Sequence, residues 1–238
     1  MSSKTLQNAF IDSFSVPSSG LEKIRLGFWK KFLEVGLPER KSEAFQYIKL
    51  EPLYETTFQR QEREKSIDVT PFVLSECDGR VVFVNGRFRA DLSDASLIKG
   101  SLLSLSEAVK NYGMYLNNAF SKMLKEECDP FALLNGACFQ EGAFMYIVPK
   151  SKASIQILSI VDDIAEQSWM MPRLQLFVGN RAEVSIAKTY HVSNSERYFY
   201  NEYTEIAIEE EAKMQCTIFD RQISSLGNSI EQCLLQRF

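Results

Sequence analysis

The apolar residues of the first third of the chain follow a helical period. The pattern predicts a helix that begins after a capping box formed by Ser19 and Glu22 and ends before Gly36. A second helical stretch is predicted after Ser42, and residues 59–69 are charged enough to predict a solvated connector. The core-facing positions of the first helix are Leu21, Ile24, Phe28 and Phe32.

The middle of the chain mixes turns, strands and a helix. Asn85 and Gly86 stand between two short apolar runs and predict a tight turn, since both residues tolerate a positive φ. Ser104 and Glu107 form a second capping box, which predicts a helix that continues with interruptions to about Glu126.

From Phe131 onward the helical period gives way to alternation of apolar and polar residues, which is typical of half-buried strands. The alternating positions include Leu174/Leu176/Val178, Val184/Ile186, Ile206/Ile208 and Met214/Cys216/Ile218.

A spacing within this half predicts how the strands are arranged. Ala153, Ala182 and Ala212 lie 29 and 30 residues apart, and each precedes the same polar–apolar–polar–apolar tetrad. A fixed period of this length favours a stacked array with one unit per coil, and therefore a β-solenoid. Ile155, Val184 and Met214 would then form one inward column. The alternative is an ordinary antiparallel sandwich in which the spacing is a coincidence.

The expected fold is therefore mainly β, a parallel β-helix (solenoid) preceded by a helical N-terminal region. Its predicted divisions are a helical region at 1–64, a mixed connecting region at 65–130 and a partial β-helix core at 131–238.

Composition narrows the class of function. The 238 residues carry 27 basic and 31 acidic side chains, so the net charge of −4 argues against a nucleic-acid partner. No run of about 18 apolar residues is present, so no membrane span is expected. The N-terminal sequence lacks the order of a secretory signal, and five widely spaced cysteines suit reduced thiols in the cytoplasm.

Few residues are candidates for chemistry. His191, the one histidine, would need an oriented partner to act as a base, and a surface turn is the simpler interpretation. The segment 36–42 resembles a phosphate-binding loop only superficially, because Pro38 lacks an N–H and a helix precedes it. No two cysteines have the C-x-x-C spacing of a metal site, and Cys138 and Cys216 are predicted to be core residues.

Two clusters have both a functional and a structural interpretation. The acidic run 209–211 suits a cation site or, more simply, a solvated turn. The aromatic residues Tyr198, Phe199, Tyr200 and Tyr203 suit base stacking, but basic residues are not interleaved with them, so strand packing or a protein interface is preferred. We therefore predict no catalytic, cofactor-binding or metal-binding residue.

Several segments together resemble the SufD type of the SufB/SufD family. They occur in the family's order along nearly the whole chain: residues 36–50 (GLPERKSEAFQYIKL), 83–88 (FVNGRF), 131–137 (FALLNGA), 172–173 (PR), 179–183 (GNRAE) and 201–206 (NEYTEI). Phe45 and Ile48 replace the Trp and Thr usual in the first of these segments.

The resemblance implies a right-handed β-helix and a scaffold role beside SufB-like and SufC-like partners in a complex that builds iron–sulfur clusters. In that picture the SufC partner binds ATP, the complex handles the cluster, and this chain alone binds no cofactor. Phe238 falls within what resembles the β-helix, so no metal ligand is carried over. An uncovered last coil would also favour self-association.

Two other functions remain open. A stand-alone solenoid enzyme of the acyltransferase or lyase type would need hexapeptide repeats with a catalytic histidine, or acidic and basic side chains clustered along one face. Neither pattern is evident in the repeat. The other is a generic protein-interaction module.

Overall fold

The computed structural model describes residues 20–38, 42–45, 47, 50–61, 66–162, 166–193 and 197–219, and the backbone of 232–237. The capping residue Ser19 lies outside this set. The described helices are α1 (Glu22–Val35), α2 (Glu51–Glu55), α3 (Leu105–Glu126) and α4 (Pro130–Cys138), with 3₁₀ turns at Glu43–Phe45 and Thr70–Phe72.

The strands form two sheets. Those of sheet A are β1 (Gln59–Arg60), β4 (Gly100–Ser104), β5 (Ala143–Ile147), β7 (Ser168–Met170), β8 (Arg173–Val178), β10 (Tyr198–Ile208) and β12 (Gln232–Arg237). Those of sheet B are β2 (Gly79–Val84), β3 (Arg87–Phe88), β6 (Lys152–Val161), β9 (Glu183–Val192) and β11 (Lys213–Phe219). Sheet A has the order β1-β7-β10-β8-β5-β4 with β12 beside β10, and sheet B has the order β11-β9-β6-β2-β3.

From β5 onward the chain alternates between the two sheets, and each strand pairs in parallel with an earlier strand of its own sheet. In sheet B, Ala153 pairs with Val184, 31 positions later, and Val184 pairs with Met214, 30 positions later. In sheet A, Ala143 pairs with Leu174 at the same 31-residue offset. The apolar alternation therefore buries one face of each sheet against the other.

The corners between the sheets also repeat. Lys150, Arg181 and Glu211 each have a φ between 57° and 60°, in the left-handed region. The N–H of Lys150 donates to Asn180 O at 2.9 Å, and the N–H of Arg181 donates to Glu210 O at 3.0 Å. One corner is thus hydrogen-bonded to the next, which keeps the successive strands in register.

The helices cover the outer face of sheet A. Leu21, Phe28 and Phe32 of the N-terminal segment are fully buried, and a side chain of this size contributes about 2–3 kcal/mol when removed from water. All nine residues of α4 are buried. A Cβ on Gly136 would lie 2.6 Å from the ring of Phe28, so the close approach of α1 and α4 requires glycine there.

A buried polar clamp attaches α4 to the sheet. The amide of Asn135 donates to Pro172 O at 2.9 Å and to Asn201 O at 2.7 Å, and the amide of Asn201 donates to Phe131 O at 2.8 Å. Buried backbone carbonyls need such donors, so this exchange fixes the helix on β8 and β10.

The two sequence signals in the middle of the chain are confirmed. Asn85 and Gly86 both have positive φ and close the antiparallel pair β2–β3. Ser104 and Glu107 form the predicted capping box, and α3 continues to Glu126 with a break at Tyr112. None of the helices among the described residues has the length and apolarity required to cross a membrane.

The segment that precedes β2 is less open than predicted. Gln61 is buried and β1 pairs with β7, so residues 59–61 are part of sheet A rather than a solvated connector. Further on, the amide of Gln156 donates to Phe72 O at 2.8 Å and accepts from Leu74 N at 2.9 Å. Residues 66–74 thereby cover part of the outer face of sheet B.

The expected fold class is confirmed only in its coarser features. The protein is mixed α/β with a helical N-terminal part and largely parallel sheets. A β-helix is not confirmed, because the described strands form two unequal sheets with antiparallel edge pairs at β3 and β4 rather than a complete series of regular coils. The expectation of strands from Phe131 was wrong for residues 131–138, since they belong to a helix that Asp129 caps by accepting from Phe131 N and Ala132 N.

The predicted inward column needs a shift of two residues. Ile155, Val184 and Met214 share one apolar cluster, but Val184 aligns with Ala153, whereas Ile155 aligns with Ile186 and Cys216. The tetrad after Ala153 therefore begins two residues later than the position that pairs with the starts of the other two tetrads. The predicted divisions at 64 and 130 stay predictions.

Candidate functional site

The residues considered for chemistry do not come together. His191 lies in β9 rather than in the surface turn preferred from sequence, and its ring is tilted against that of Phe72 with centroids 4.4 Å apart, on the outer face of sheet B. Cys77, Cys128, Cys138 and Cys216 are free thiols in different environments. In the described ranges, no three His, Cys, Asp or Glu side chains are grouped so as to hold a metal ion. That the chain has no catalytic, cofactor-binding or metal-binding residue stays a prediction.

The two thiols predicted to be core residues are packed and poorly ionised. Burial raises the pKa of Cys138 to about 12, and burial also raises the pKa of the partly buried Cys216. The thiolate is the form that binds metal and attacks electrophiles. Both side chains therefore act as small apolar residues at neutral pH.

The most distinctive surface is the free edge of sheet B at β11. Among the described residues, β11 pairs only with β9, and the N–H of Lys213 donates to Ala182 O at 2.8 Å. Because backbone groups alternate in direction along a parallel strand, those of Met214, Cys216 and Ile218 point away from β9. A seven-residue strand thus presents unpaired donors and acceptors to a further strand.

Charged side chains are stacked across the start of this sheet. Lys152, Glu183 and Lys213 occupy one register row of β6, β9 and β11. Lys152 Nζ lies 2.6 Å from Glu183 Oε2, and this hydrogen bond, with the charges of Lys152 and Lys213, lowers the pKa of Glu183. A strand added beside β11 would meet Lys213 at this row, so an acidic residue would extend the alternation of charge.

The corner that precedes β11 is formed by the acidic run 209–211. Arg181 Nε donates to Glu211 Oε2 at 2.9 Å and Arg181 Nη2 donates to Glu211 Oε1 at 2.7 Å, and this two-bond contact raises the pKa of Arg181. The acidic run 209–211 is therefore an exposed turn, as preferred from sequence, with Glu211 paired to the preceding corner.

A shallow groove of about 540 Å³ lies on the outer face of the same strands. Its lining includes Asp78, Lys152, Ser154, Glu183, Ser185, Lys213 and Gln215. Acidic and basic side chains are thus clustered along the outer face of sheet B, although no such cluster was evident in the sequence of the repeat. The Lys152–Glu183 pair and the bond from Ser154 N to Asp78 Oδ2, at 2.7 Å, already satisfy several of these groups.

The interior holds a charged pair that sequence reasoning missed. Lys188 on β9 forms an ion pair with Glu202 on β10, and both are almost fully buried. Lys188 Nζ also lies 3.2 Å from Thr204 Oγ1, and Tyr190 OH donates to Glu202 Oε2 at 2.8 Å. The sequence does contain a signal for a buried charge, because Lys188 occupies the inward position that follows Val184 and Ile186 in the alternation of β9.

A second buried cation joins sheet A to the helices. Arg173 is fully buried, donates to Asn135 Oδ1 at 3.1 Å and lies 3.6 Å from Glu205. Its guanidinium also packs 4.6 Å from the ring centre of Tyr203. The four aromatic residues of β10 are likewise buried, which agrees with strand packing rather than base stacking.

Comparison with known proteins identifies the family. Residues 7–158 match the family model described as the SufBD protein N-terminal region. An iron–sulfur cluster assembly SufBD family protein from Synechocystis sp. is 27% identical over 197 residues, which cover 75% of this chain and 42% of that protein. The chain thus spans less than half the length of this relative. Because the family model covers well over half of the 238 residues, the chain belongs to the SufBD family.

Proposed function

We propose that this chain is a non-catalytic scaffold subunit in a SufBCD-type complex that assembles iron–sulfur clusters. The observation that carries the proposal is the match of residues 7–158 to the SufBD family. The name of the Synechocystis relative supports the link to cluster assembly. A scaffold requires rigid surfaces rather than a catalytic constellation, and the in-register sheets supply such surfaces.

The finer part of the proposed architecture is a right-handed β-helix. The alternation between sheets, the offsets of 30 and 31 residues and the hydrogen-bonded corners at Lys150, Arg181 and Glu211 support it. Right-handed crossovers are the general rule for parallel strands of one sheet. Each coil of such an array contacts only the neighbouring coils, so the number of coils can differ between proteins without a change in the core pattern.

The partners in this proposal are a SufB-like and a SufC-like protein. ATP is bound by the SufC-like subunit, the nascent cluster is handled by the complex, and this cytoplasmic chain contributes support without a cofactor of its own. The protonated thiols of the buried Cys138 and the partly buried Cys216 are consistent with that division of roles, because cluster ligation requires several converging thiolates.

Co-purification from the native cell tests the proposal. The full chain carries an affinity tag, is purified anaerobically, and the proteins that accompany it are identified by mass spectrometry. We expect SufB-like and SufC-like proteins in near-stoichiometric amounts, and neither protein with the same tag on an unrelated cytoplasmic protein. Purification without these partners, together with a turnover on a small substrate, would instead support the stand-alone enzyme. Capture of unrelated proteins alone would support a generic interaction module.

A further inference from the structure

One end of the interior between the sheets is polar. The ion pair of Lys188 and Glu202 lies there together with the hydroxyls of Ser159, Tyr190 and Tyr200. The other end is lined by aliphatic side chains such as Ile155, Ile186 and Leu176. The polar end therefore differs in kind from the rest of the core.

Two of its hydroxyls have no hydrogen-bond partner within the part of the chain that the structure describes. They are Ser159 Oγ and Tyr200 OH, and each residue is about 2% exposed. A buried hydroxyl without a partner loses its bonds to water on folding and gains none in return. Native proteins seldom leave two such groups in one place.

Both hydroxyls face the ion-pair network. Ser159 on β6 pairs in register with Tyr190 on β9, and the hydroxyl of Tyr190 donates to Glu202. Tyr200 precedes Glu202 by two positions on β10, so their side chains share the inward face. Burial raises the pKa of Tyr200 well above its usual value, the charge of Glu202 adds to this, and the nearby Ser159 hydroxyl opposes it, in agreement with the closeness of the two side chains.

We propose that Ser159 and Tyr200 hold an ordered water molecule, which joins them to the Glu202–Tyr190–Lys188–Thr204 network. Buried waters typically make about three hydrogen bonds to polar groups that lack other partners. Two hydroxyls beside a carboxylate and an ammonium group supply both donors and acceptors for such a molecule. The water then completes a polar link from sheet B to sheet A.

The direction of the change in melting temperature (Tm) on substitution of Ser159 or Tyr200 tests the proposed water site. If water bridges the hydroxyls, Tyr200→Phe and Ser159→Ala each lower Tm, because the water loses a partner. If the Tyr200 hydroxyl is unsatisfied, Tyr200→Phe raises Tm, since a buried polar group is removed without loss of a bond. Tyr190→Phe serves as the reference, because it removes a direct bond to Glu202 and lowers Tm in both cases.

A crystal structure of the full chain at about 1.5 Å resolution provides the second readout, since ordered waters are then visible. We expect a water peak within hydrogen-bond distance of Ser159 Oγ and Tyr200 OH, and its loss in Tyr200→Phe. A direct contact between the two hydroxyl oxygens without a water peak would overturn the proposal, as would a rise of Tm in Tyr200→Phe.

Discussion

Lys188 and Glu202 form a buried ion pair that connects β9 of one sheet to β10 of the other. The two residues are 14 positions apart in sequence, and Thr204 and Tyr190 complete their hydrogen bonds. Taking two charges out of water is costly, so the pair is tolerated only because both charges are paired and hydrogen-bonded.

The first prediction concerns this pair. Glu202→Gln leaves the ammonium group of Lys188 buried without a carboxylate, and we expect a loss of about 3–5 kcal/mol in the free energy of unfolding, measured by denaturant titration. The double variant Lys188→Met with Glu202→Leu should lose much less, since neither charge remains. Lys152→Met, which removes one partner of an exposed pair, is the control and should change stability little. Equal losses in Glu202→Gln and Lys152→Met would contradict the structural importance of the buried pair.

The second prediction concerns the Cys138 thiol. Its folded-state pKa of about 12 lies above the value of 9.0 for an ordinary thiol, so the unfolded chain loses this proton first as pH rises. The contribution of the thiol to stability is complete below pH 9 and decreases by about 1.4 kcal/mol per pH unit between pH 9 and pH 12. Cys138→Ala should flatten this part of the stability curve relative to the parent chain.

A chemical measurement complements the pH profile. A thiol reagent at pH 8 should modify the exposed Cys128 rapidly and Cys138 only after denaturation. Rapid modification of Cys138 in the folded protein would show that this thiol is accessible.

The third prediction concerns the free edge at β11. Among the described residues no strand pairs with the outer edge of β11, and such an edge with exposed apolar residues favours self-association. Phe219→Lys places a charge at this edge and should weaken association several-fold in sedimentation-velocity experiments. Leu97→Lys changes a residue that is 76% exposed on the loop before β4, and it should leave association unchanged. A parent chain that is monomeric at high concentration would refute the prediction.

The fourth prediction concerns the capping box of α3. Ser104→Ala removes the acceptor for Glu107 N and should cost about 1 kcal/mol in the free energy of unfolding. Glu107→Gln retains a side-chain acceptor for Ser104 N and should cost much less. Thermal denaturation of both variants compares the two halves of the box.

The fifth prediction concerns chemistry. The isolated chain should neither hydrolyse ATP nor retain a stable iron–sulfur cluster after anaerobic reconstitution and desalting. Its Cys138 and Cys216 thiols are protonated at neutral pH, and stable clusters are generally held by about four thiolates. Stoichiometric visible absorbance that is lost on substitution of the cysteines would show that the chain carries a cluster.

Local features of the fold were predictable from the sequence because neighbouring residues determine them. The capping box of Ser104 and Glu107 and the turn at Asn85 and Gly86 depend on hydrogen bonds and φ angles within four residues. Alternation also predicted the strands β8 to β11, since one face of each contacts the core. The end of α1 before Gly36 is likewise determined by neighbouring residues.

The helix α4 was not predicted, although its signals were present. Asp129 and Pro130 are a favourable cap and first residue, but all nine helical positions are buried. A helix that is apolar on every side has no amphipathic period, so the pattern alone did not separate it from a buried strand.

The sequence by itself determined the two periods of the chain, its turns and caps, and its resemblance to the SufBD family, since each is written in adjacent residues or in motif order. Only the tertiary structure decided that Ala153 aligns with Val184 and that Lys188 meets Glu202. The register depends on how many residues each corner takes up, and the ion pair depends on which strands of the two sheets face each other. Both depend on how segments distant in sequence pack against each other, which no local pattern of residues determines.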